Sequence, residues 1–398
     1  MSSIPVSFKQ LKKYIDSQEY KGWDPYDGLN SKVFKATPLK NWDLARLAWI
    51  QLFKRNPVNL RSLFLVPKDY NAKGVALILS GYCNLYQTQK DGNDLPFELA
   101  EIKSHIESLA DLLISLQSKG DYSGACWGYN FDWQARRLFL FPAYTPTVVA
   151  TTFVASSLFQ AYEITKKQNY LDVALSSADF IINDLNRTPK KRGFLFSYSP
   201  LNGNNTVYNA SLLGSKLLSY SYHYSGKEEY KQLARESIVA CVDAQSEDGS
   251  WVYGELPVQN WIDSFHTGYN LEAIKIYQDI SGDFSFEKNI QNGFEYYINN
   301  FFMEDGTPKY YHNKIYPIDI HCPGQLFVTL NKVHKYSENK EIADKVMNWT
   351  IENMQTKKGY FIYQKKRFFS SNIPYMRWSN AFMFYAMSYY LLNEQKKI

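Results

Sequence analysis

Two kinds of helical segment alternate along this chain. The first is apolar nearly all round and rich in small residues: KGVALILSGYCNLYQ from Lys73, TPTVVATTFVASSLFQAYEI from Thr145, NASLLGSKLLSYSYHY from Asn209, HTGYNLEAIKIYQDI from His266, HCPGQLFVTLNKVHKY from His321 and WSNAFMFYAMSYYLLN from Trp378. The second carries a polar face: LAEIKSHIESLADLLISLQ, YLDVALSSADFIINDL, EEYKQLARESIVACVDAQ, FEKNIQNGFEYYINNFF and EIADKVMNWTIENMQ. A further helix, NWDLARLAWIQLFKR, precedes the first apolar one and completes six of each. Helices apolar on all sides belong inside a fold, and those with one wet face belong outside.

The last five apolar helices start at residues 145, 209, 266, 321 and 378, in steps of 64, 57, 55 and 57. A repeat of that length, one inner and one outer helix per unit, predicts an all-α (α/α)6 toroid. No unit buries its own apolar face, so residues 41–398 are expected to form a single domain. An open superhelix of helical hairpins is the alternative. Each polar-faced helix ends at a glycine turn and an aromatic connection: GYNFDWQARRLFLFPAY, GFLFSYSPLNGNNTVY, GSWVYGELPVQNWIDSF, GTPKYYHNKIYPIDI and GYFIYQKKRFFSSNIPYMR. Their alternating patterns predict short β-hairpins. In a toroid all five lie on one face, over the inner-helix N-termini. Residues 1–40 are expected as an N-terminal arm folded onto this mouth. Its segment WDPYDGLNS (Trp23–Ser31) would bring Asp24 or Asp27 near a ligand.

Composition adds one strong feature. Of 398 residues 17% are aromatic, including 32 tyrosines. Each buried tyrosine hydroxyl needs a partner, so a core alone does not call for so many. Surfaces that stack on sugar rings do. A net charge of +5, evenly spread, argues against nucleic acid as a partner. No run of eighteen apolar residues suggests a membrane span. MSSIPVSFKQLKKYIDSQEY has no apolar core of a signal peptide, and Cys83, Cys126, Cys241 and Cys322 form no CxxC pair. These features predict reduced thiols and a cytoplasmic location.

The predicted mouth gathers chemistry. Thr145, Asn209, His266, His321 and Trp378 begin inner helices, and Asp132, Trp133, Tyr208, Asp263, Asp319 and Arg377 lie just upstream. Two of only six histidines fall at equivalent positions, each with an aspartate two or three residues before it. Helix capping explains any one of these residues, but gathering Asp, His, Asn and Arg in one pocket without use is costly. Asp132, Asp263 and Asp319 offer paired carboxylates for glycoside cleavage. His266 or His321, with a tyrosine, would instead remove a proton next to a carboxylate, giving elimination or epimerisation. Trp127, Tyr129, Trp133, Trp251, Tyr253, Tyr311 and Trp378 are candidates to stack on sugar faces, with Tyr208, Asn209 and Asp27 as further contacts. Helix N-termini and Arg377 would hold a uronate or phosphate. Asp263, His266, Asp319, His321 and Cys322 are zinc-binding types. They come from two separate turns without compact spacing, so no metal or cofactor is expected.

QSEDGSW (Gln245–Trp251) resembles the QW repeat of triterpene cyclases, and DSFHTGYNLEAI resembles the helix start of protein prenyltransferase β-subunits. Both families are α/α toroids, and the second resemblance would make His266 a zinc ligand. WDPYDGLNS, CWGYNFDWQ, TPTVVATTFVA, WIDSFHTGYNLE, GTPKYYHNKIYPIDIH and IPYMRWSNAFMFYA look like a bacterial toroid family associated with surface-polysaccharide biosynthesis genes. Its members are described as prenyltransferase-like or six-hairpin-glycosidase-like. The resemblance implies a place in that pathway and not a reaction. The mouth chemistry makes a carbohydrate-active enzyme, a hydrolase or a lyase or epimerase acting on a polysaccharide precursor or anionic oligosaccharide, the preferred expectation. A non-catalytic binder of glycan or lipid carrier is the alternative, and an isoprenoid-transferring enzyme the third.

Overall fold

The computed structural model describes residues 4–91, 97–135 and 139–394, so residues 136–138 of the first connection lie outside the described residues. In chain order come α1 (Ile4–Ser17), the single-turn α2 (Lys32–Lys35) and α3 (Asp43–Arg55). The hairpin repeat follows with α4 (Ala72–Lys90), α5 (Leu99–Ser115), α6 (Val148–Thr165), α7 (Gln168–Asp179), α8 (Tyr208–Ser225) and α9 (Glu228–Val242). It continues with α10 (Ser264–Ser281), α11 (Glu287–Phe301), α12 (His321–Lys332), α13 (Lys340–Met354) and α14 (Phe382–Glu394).

The apolar helices α4, α6, α8, α10, α12 and α14 each pack on the next, and α14 returns to α4, closing the ring. Their all-round apolar character has the expected consequence: every residue of α4 from Ala72 to Leu85, and of α12 from His321 to Leu330, is buried. The outer helices bury one stripe only; in α11 it is Ile290, Gly293, Phe294, Tyr296, Tyr297 and Phe301. The fold is therefore the expected (α/α)6 toroid. Among the described residues no helix is long and apolar enough to cross a membrane.

The outer layer differs from expectation at one place. Its sixth member is α1, which packs on α13 and α14, whereas α3 packs on the 3-10 turn Asp27–Asn30 and on the mouth strand that begins at Trp133. A repeated device shows why α1 fits. Gln245, after α9, donates Nε2–H to Gly249 O at 2.9 Å and to Asn289 O of α11 at 3.0 Å. Gln355, after α13, donates likewise to Gly359 O at 3.0 Å and to Ser7 O of α1 at 2.9 Å. Gly249 and Gly359 have φ of +89° and +90°, and a Cβ there would lie 2.3 and 2.5 Å from the carbonyl oxygens of Asn292 and Gln10. The next outer helix thus docks on each glycine turn, and for the last turn that helix is α1. Side-chain spacing agrees: α1 buries Phe8, Leu11 and Ile15 along one face, while α3 buries only Ile50 and Phe53. α3 continues the packing of the arm, against the Asp27–Asn30 turn.

Short strands stiffen the connections. β1 (Trp133–Gln134) pairs with β2 (Leu140–Phe141), and β3 (Arg187–Pro189) with β4 (Phe194–Phe196). β5 (Ile318–Asp319), β6 (Gln364–Lys365) and β7 (Ser370–Ser371) form one antiparallel sheet, with Asp319 opposite Gln364. That sheet joins the connections leading into α12 and α14, and so fixes their N-termini against each other.

Candidate functional site

Asp263 caps α10. Its Oδ1 accepts from the His266 backbone N–H at 3.0 Å, and its Oδ2 accepts from Trp261 Nε1–H at 2.9 Å and lies 2.7 Å from His266 Nδ1. The capping and functional readings of this pair are therefore not exclusive. A carboxylate only accepts, so the proton of a neutral His266 sits on Nδ1 and Nε2 carries a lone pair. The Asp263 side chain is fully buried, while His266 keeps 20% of its side chain exposed. Tyr253, stacked on Trp261 at 4.5 Å, and Phe265 hold the imidazole from two sides.

His321 begins α12 in the opposite state. Its Nε2 lies 2.7 Å from the hydroxyl of Tyr269, and Lys73 Nζ of α4 donates to that same hydroxyl at 3.2 Å. The phenol can donate its proton to Nε2 or accept from an Nε2–H. In the first arrangement the His321 proton sits on Nδ1, which is buried without a hydrogen-bond partner. Burial, with Lys73, Arg377 and His266 nearby, holds His321 well below the usual histidine range, so it is neutral at pH 7. Burial, reinforced by Arg377, likewise holds Lys73 well below the usual lysine range. The lysine lies 4.1 Å from the ring centre of Phe153 and forms no ion pair among the described residues. Phe265 separates the two imidazoles, its ring centre 4.2 Å from His266 and 4.5 Å from His321.

The other expected acids are engaged. Asp319 is fully buried and accepts from Trp378 Nε1–H at 2.8 Å, His321 N–H at 3.0 Å and Gln364 Nε2–H at 2.6 Å. Burial nevertheless lifts its carboxyl to about 6. It orients His321 and Trp378. Asp132 accepts from Ala143 N–H at 2.8 Å and so pins the connection behind β2. Asp27 lies in a buried pair with Arg61 at 2.7 Å, in the arm's own core. Arg377 is gripped on two atoms by Asp24, at 2.6 and 2.8 Å. Its charge is balanced within the mouth by the arm.

The aromatic residues divide by position. Trp127 and Trp251 are buried, and their indole N–H groups donate to Leu113 O at 2.7 Å and Cys241 O at 3.0 Å. They anchor each connection to the outer helix it has just left, and offer no face for stacking. Tyr208 is buried beside Cys241 and Glu255, and Asn209 is buried with its amide oxygen unpartnered. Trp133, Tyr129, Tyr253, Tyr311 and Trp378 do belong to the mouth. Trp378 lies 4.9 Å from the His321 ring, and Tyr129 receives the Arg377 guanidinium at 4.9 Å over its ring. Tyr311 pairs its backbone with that of Asp263. Arg377 and Trp378 stand in a π-helical turn, Met376–Ala381, that leads into α14; such turns recur at functional sites.

Several mouth residues escaped the sequence reading. Tyr26 of the arm bridges the mouth, its ring 6.1 Å from Trp133 and 5.9 Å from Trp378. Tyr198 meets Tyr129 hydroxyl to hydroxyl at 3.4 Å. Tyr269 was legible, since it follows His266 by three positions on one helix face. Lys73 was legible as a charge at the start of an otherwise apolar helix. The zinc implied by the prenyltransferase resemblance does not fit these residues. Asp263 occupies Nδ1 of His266, Tyr269 occupies Nε2 of His321, and among the described residues no three metal-binding side chains converge.

No family model matches the chain, and no curated protein matches it. Among solved structures it is similar to a sugar epimerase from a ruminal bacterium, with TM-score 0.61, 14% identity, and 84% of this chain and 91% of that one covered. It is similar to cellobiose 2-epimerase from Bacillus thermoamylovorans, with TM-score 0.62, 12% identity and coverage of 82% and 90%. A glycoside hydrolase family 76 mannosidase from Bacteroides thetaiotaomicron gives TM-score 0.61, 12% identity and coverage of 98% and 100%. At such identities the likeness establishes the fold, a six-hairpin (α/α)6 toroid.

Proposed function

We propose that the mouth transfers protons at a sugar carbon next to a carbonyl, as a sugar epimerase or isomerase. The observation that carries this reading is the pair of histidines at neighbouring helix starts, His266 held at Nδ1 by Asp263 and His321 held at Nε2 by Tyr269. His266 Nε2 offers a lone pair, and His321 Nδ1 offers a proton without a partner. In the step, His266 takes the proton from the carbon, and the C–H electron pair becomes the C=C bond of an enediolate. The carbonyl oxygen gains negative charge, and the Nδ1–H of His321, a neutral electrophile now buried, meets it once the Phe265 ring swings from between the imidazoles. Asp263 stabilises the His266 imidazolium. Return of the proton to the neighbouring carbon, as the remaining hydroxyl proton passes from one enediolate oxygen to the other, gives the isomer, and return to the first carbon after the enediolate has turned its other face to His266 gives the epimer.

Glycoside cleavage needs two carboxyl groups flanking the bond. Asp263 and Asp319 accept from other donors on both oxygens and Asp132 on one, which favours proton transfer. Of the three similar structures named above, two are sugar epimerases, which supports a sugar as the ligand class. The resemblance carried by WDPYDGLNS and the mouth connections supports a role in surface-polysaccharide biosynthesis, on a precursor or anionic oligosaccharide, and the four free, buried cysteines support a cytoplasmic location. Proton NMR of reducing sugars and uronates incubated with the protein in D2O tests the reaction. Deuterium should enter at the carbon next to the carbonyl, and His266→Ala should lose about a hundredfold or more of the rate. The ring of mouth aromatics favours glycan binding without turnover as the second reading. In that case His266→Ala would bind as wild type does, and neither protein would exchange deuterium.

A further inference from the structure

Beside the mouth lies a second concavity that the histidine chemistry does not use. It has a volume of about 600 Å3 and is lined by Tyr14, Trp23, Tyr360, Lys68, Lys358 and Asn372, among others. That volume lies within the ordinary range for small-molecule sites, roughly 300–1,000 Å3. Tyr14 ends α1, Lys358 and Tyr360 follow α13, Lys68 precedes α4, and Asn372 precedes the π-helical turn. All belong to the mouth face, because outer helices end where inner helices begin.

The lining has a definite chemistry. Trp23 is a fixed platform: its indole N–H donates to Val66 O at 3.0 Å, and its carbonyl accepts from Met376 N–H at 3.1 Å. Tyr14 and Tyr360 present a second aromatic pair, ring centres 5.2 Å apart. Lys68 Nζ lies 4.8 Å from the Trp23 ring centre and donates to Gln18 Oε1 at 2.6 Å. Neither Lys68 nor Lys358 forms an ion pair among the described residues, and no carboxylate lines the concavity. Flat apolar faces, amide groups and two unneutralised cations together complement a saccharide that carries negative charge.

We infer that this concavity is a binding site for anionic saccharide, separate from the catalytic mouth and one residue of backbone away from it. Trp23 lines the concavity, and Asp24 beside it holds Arg377 in the mouth. A chain of charged sugar units would run from one site to the other. The assignment does not depend on the reaction proposed for the mouth.

Titration calorimetry at low salt tests it, with trigalacturonate, glucose 1-phosphate and the neutral trisaccharide maltotriose as probes. Wild-type protein, Lys68→Glu/Lys358→Glu, Tyr360→Ala and His266→Ala are compared after thermal melting has checked folding. The site binds trigalacturonate if the source of charge is a uronate, and glucose 1-phosphate if it is a phosphate. Whichever binds should lose about tenfold or more in the double lysine variant, lose affinity in Tyr360→Ala, and weaken with salt. Maltotriose should bind at least tenfold more weakly. His266→Ala should bind as wild type does, so the result is separable from failure of the mouth chemistry. Undiminished binding in the lysine variant, loss confined to His266→Ala, equal binding of maltotriose, or no binding of either anion would overturn the assignment.

Discussion

Asp263→Asn is the sharpest probe of how the mouth is set. The wild-type carboxylate takes three hydrogen bonds: His266 N–H at 3.0 Å, His266 Nδ1 at 2.7 Å and Trp261 Nε1–H at 2.9 Å. Asparagine keeps one oxygen, which continues to cap α10. Its NH2 group then faces two positions where the wild type has donors. His266 can adapt by moving its proton to Nε2 and accepting at Nδ1, whereas the Trp261 indole cannot. One buried donor is left unpaired, a cost of about 1–3 kcal/mol. The chemical consequence is larger, because the nitrogen facing the mouth changes from base to donor. Loss of a positioned general base costs about 10^2–10^4 in rate. Long-range 1H–15N correlation spectra report the tautomer directly and need no substrate. Wild-type His266 should carry its proton on Nδ1 and the variant on Nε2, with a melting temperature a few degrees lower. An unchanged tautomer, or a variant that keeps wild-type turnover, would refute the reasoning.

Asp27→Ala should lose about 3–5 kcal/mol in denaturant unfolding, because it strands the fully buried Arg61 guanidinium. Asp319 supplies a pH signature. Its folded carboxyl is lifted to about 6 by burial, above the ordinary 3.8. Between these values the folded state binds a proton that the unfolded state has released, so this group's contribution to stability falls as pH rises from about 4 to 6. Asp319→Asn removes the effect, and Gln364 can turn its amide to match. The stability of wild type relative to this variant should therefore decline across that window, and a rising difference would contradict the assignment. Elemental analysis of purified protein should find zinc far below one per chain, since no three ligand side chains converge among the described residues.

How the fold became legible follows from particular residues. The all-round apolar helices α4, α6, α8, α10, α12 and α14 declared themselves as an inner ring through periodicity alone, and the glycines at 249 and 359 marked the turns between layers. The sixth outer helix was misplaced because α1 and α3 both look amphipathic, and what separates them is docking on Gly359, 342 or more residues later than α1 itself. Asp263 and His266 were legible as a pair because a cap and its third helical residue are local in sequence. The chain from Lys73 through Tyr269 to His321 was not, since its members come from three helices that meet only in the closed ring. Trp127 and Trp251 were misread for a related reason. Sequence placed them in mouth connections, but their indoles turn back to Leu113 and Cys241 of the preceding outer helices. The pairing of Arg377 was not legible either, because its partner Asp24 lies 353 positions away.

The central claim is that His266 abstracts a proton from carbon next to a sugar carbonyl, and solvent exchange tests it most directly. Wild type, His266→Ala and Tyr269→Phe are incubated in D2O with a panel of reducing mono- and disaccharides and uronates, and the products are read by NMR. The account predicts deuterium at the carbon next to the carbonyl with wild type, and loss of about a hundredfold or more in His266→Ala. Tyr269→Phe should slow exchange without abolishing it, because His321 loses the partner that fixes its proton on Nδ1. Cleavage of a glycosidic bond without deuterium incorporation, or exchange at the wild-type rate in His266→Ala, would contradict the account.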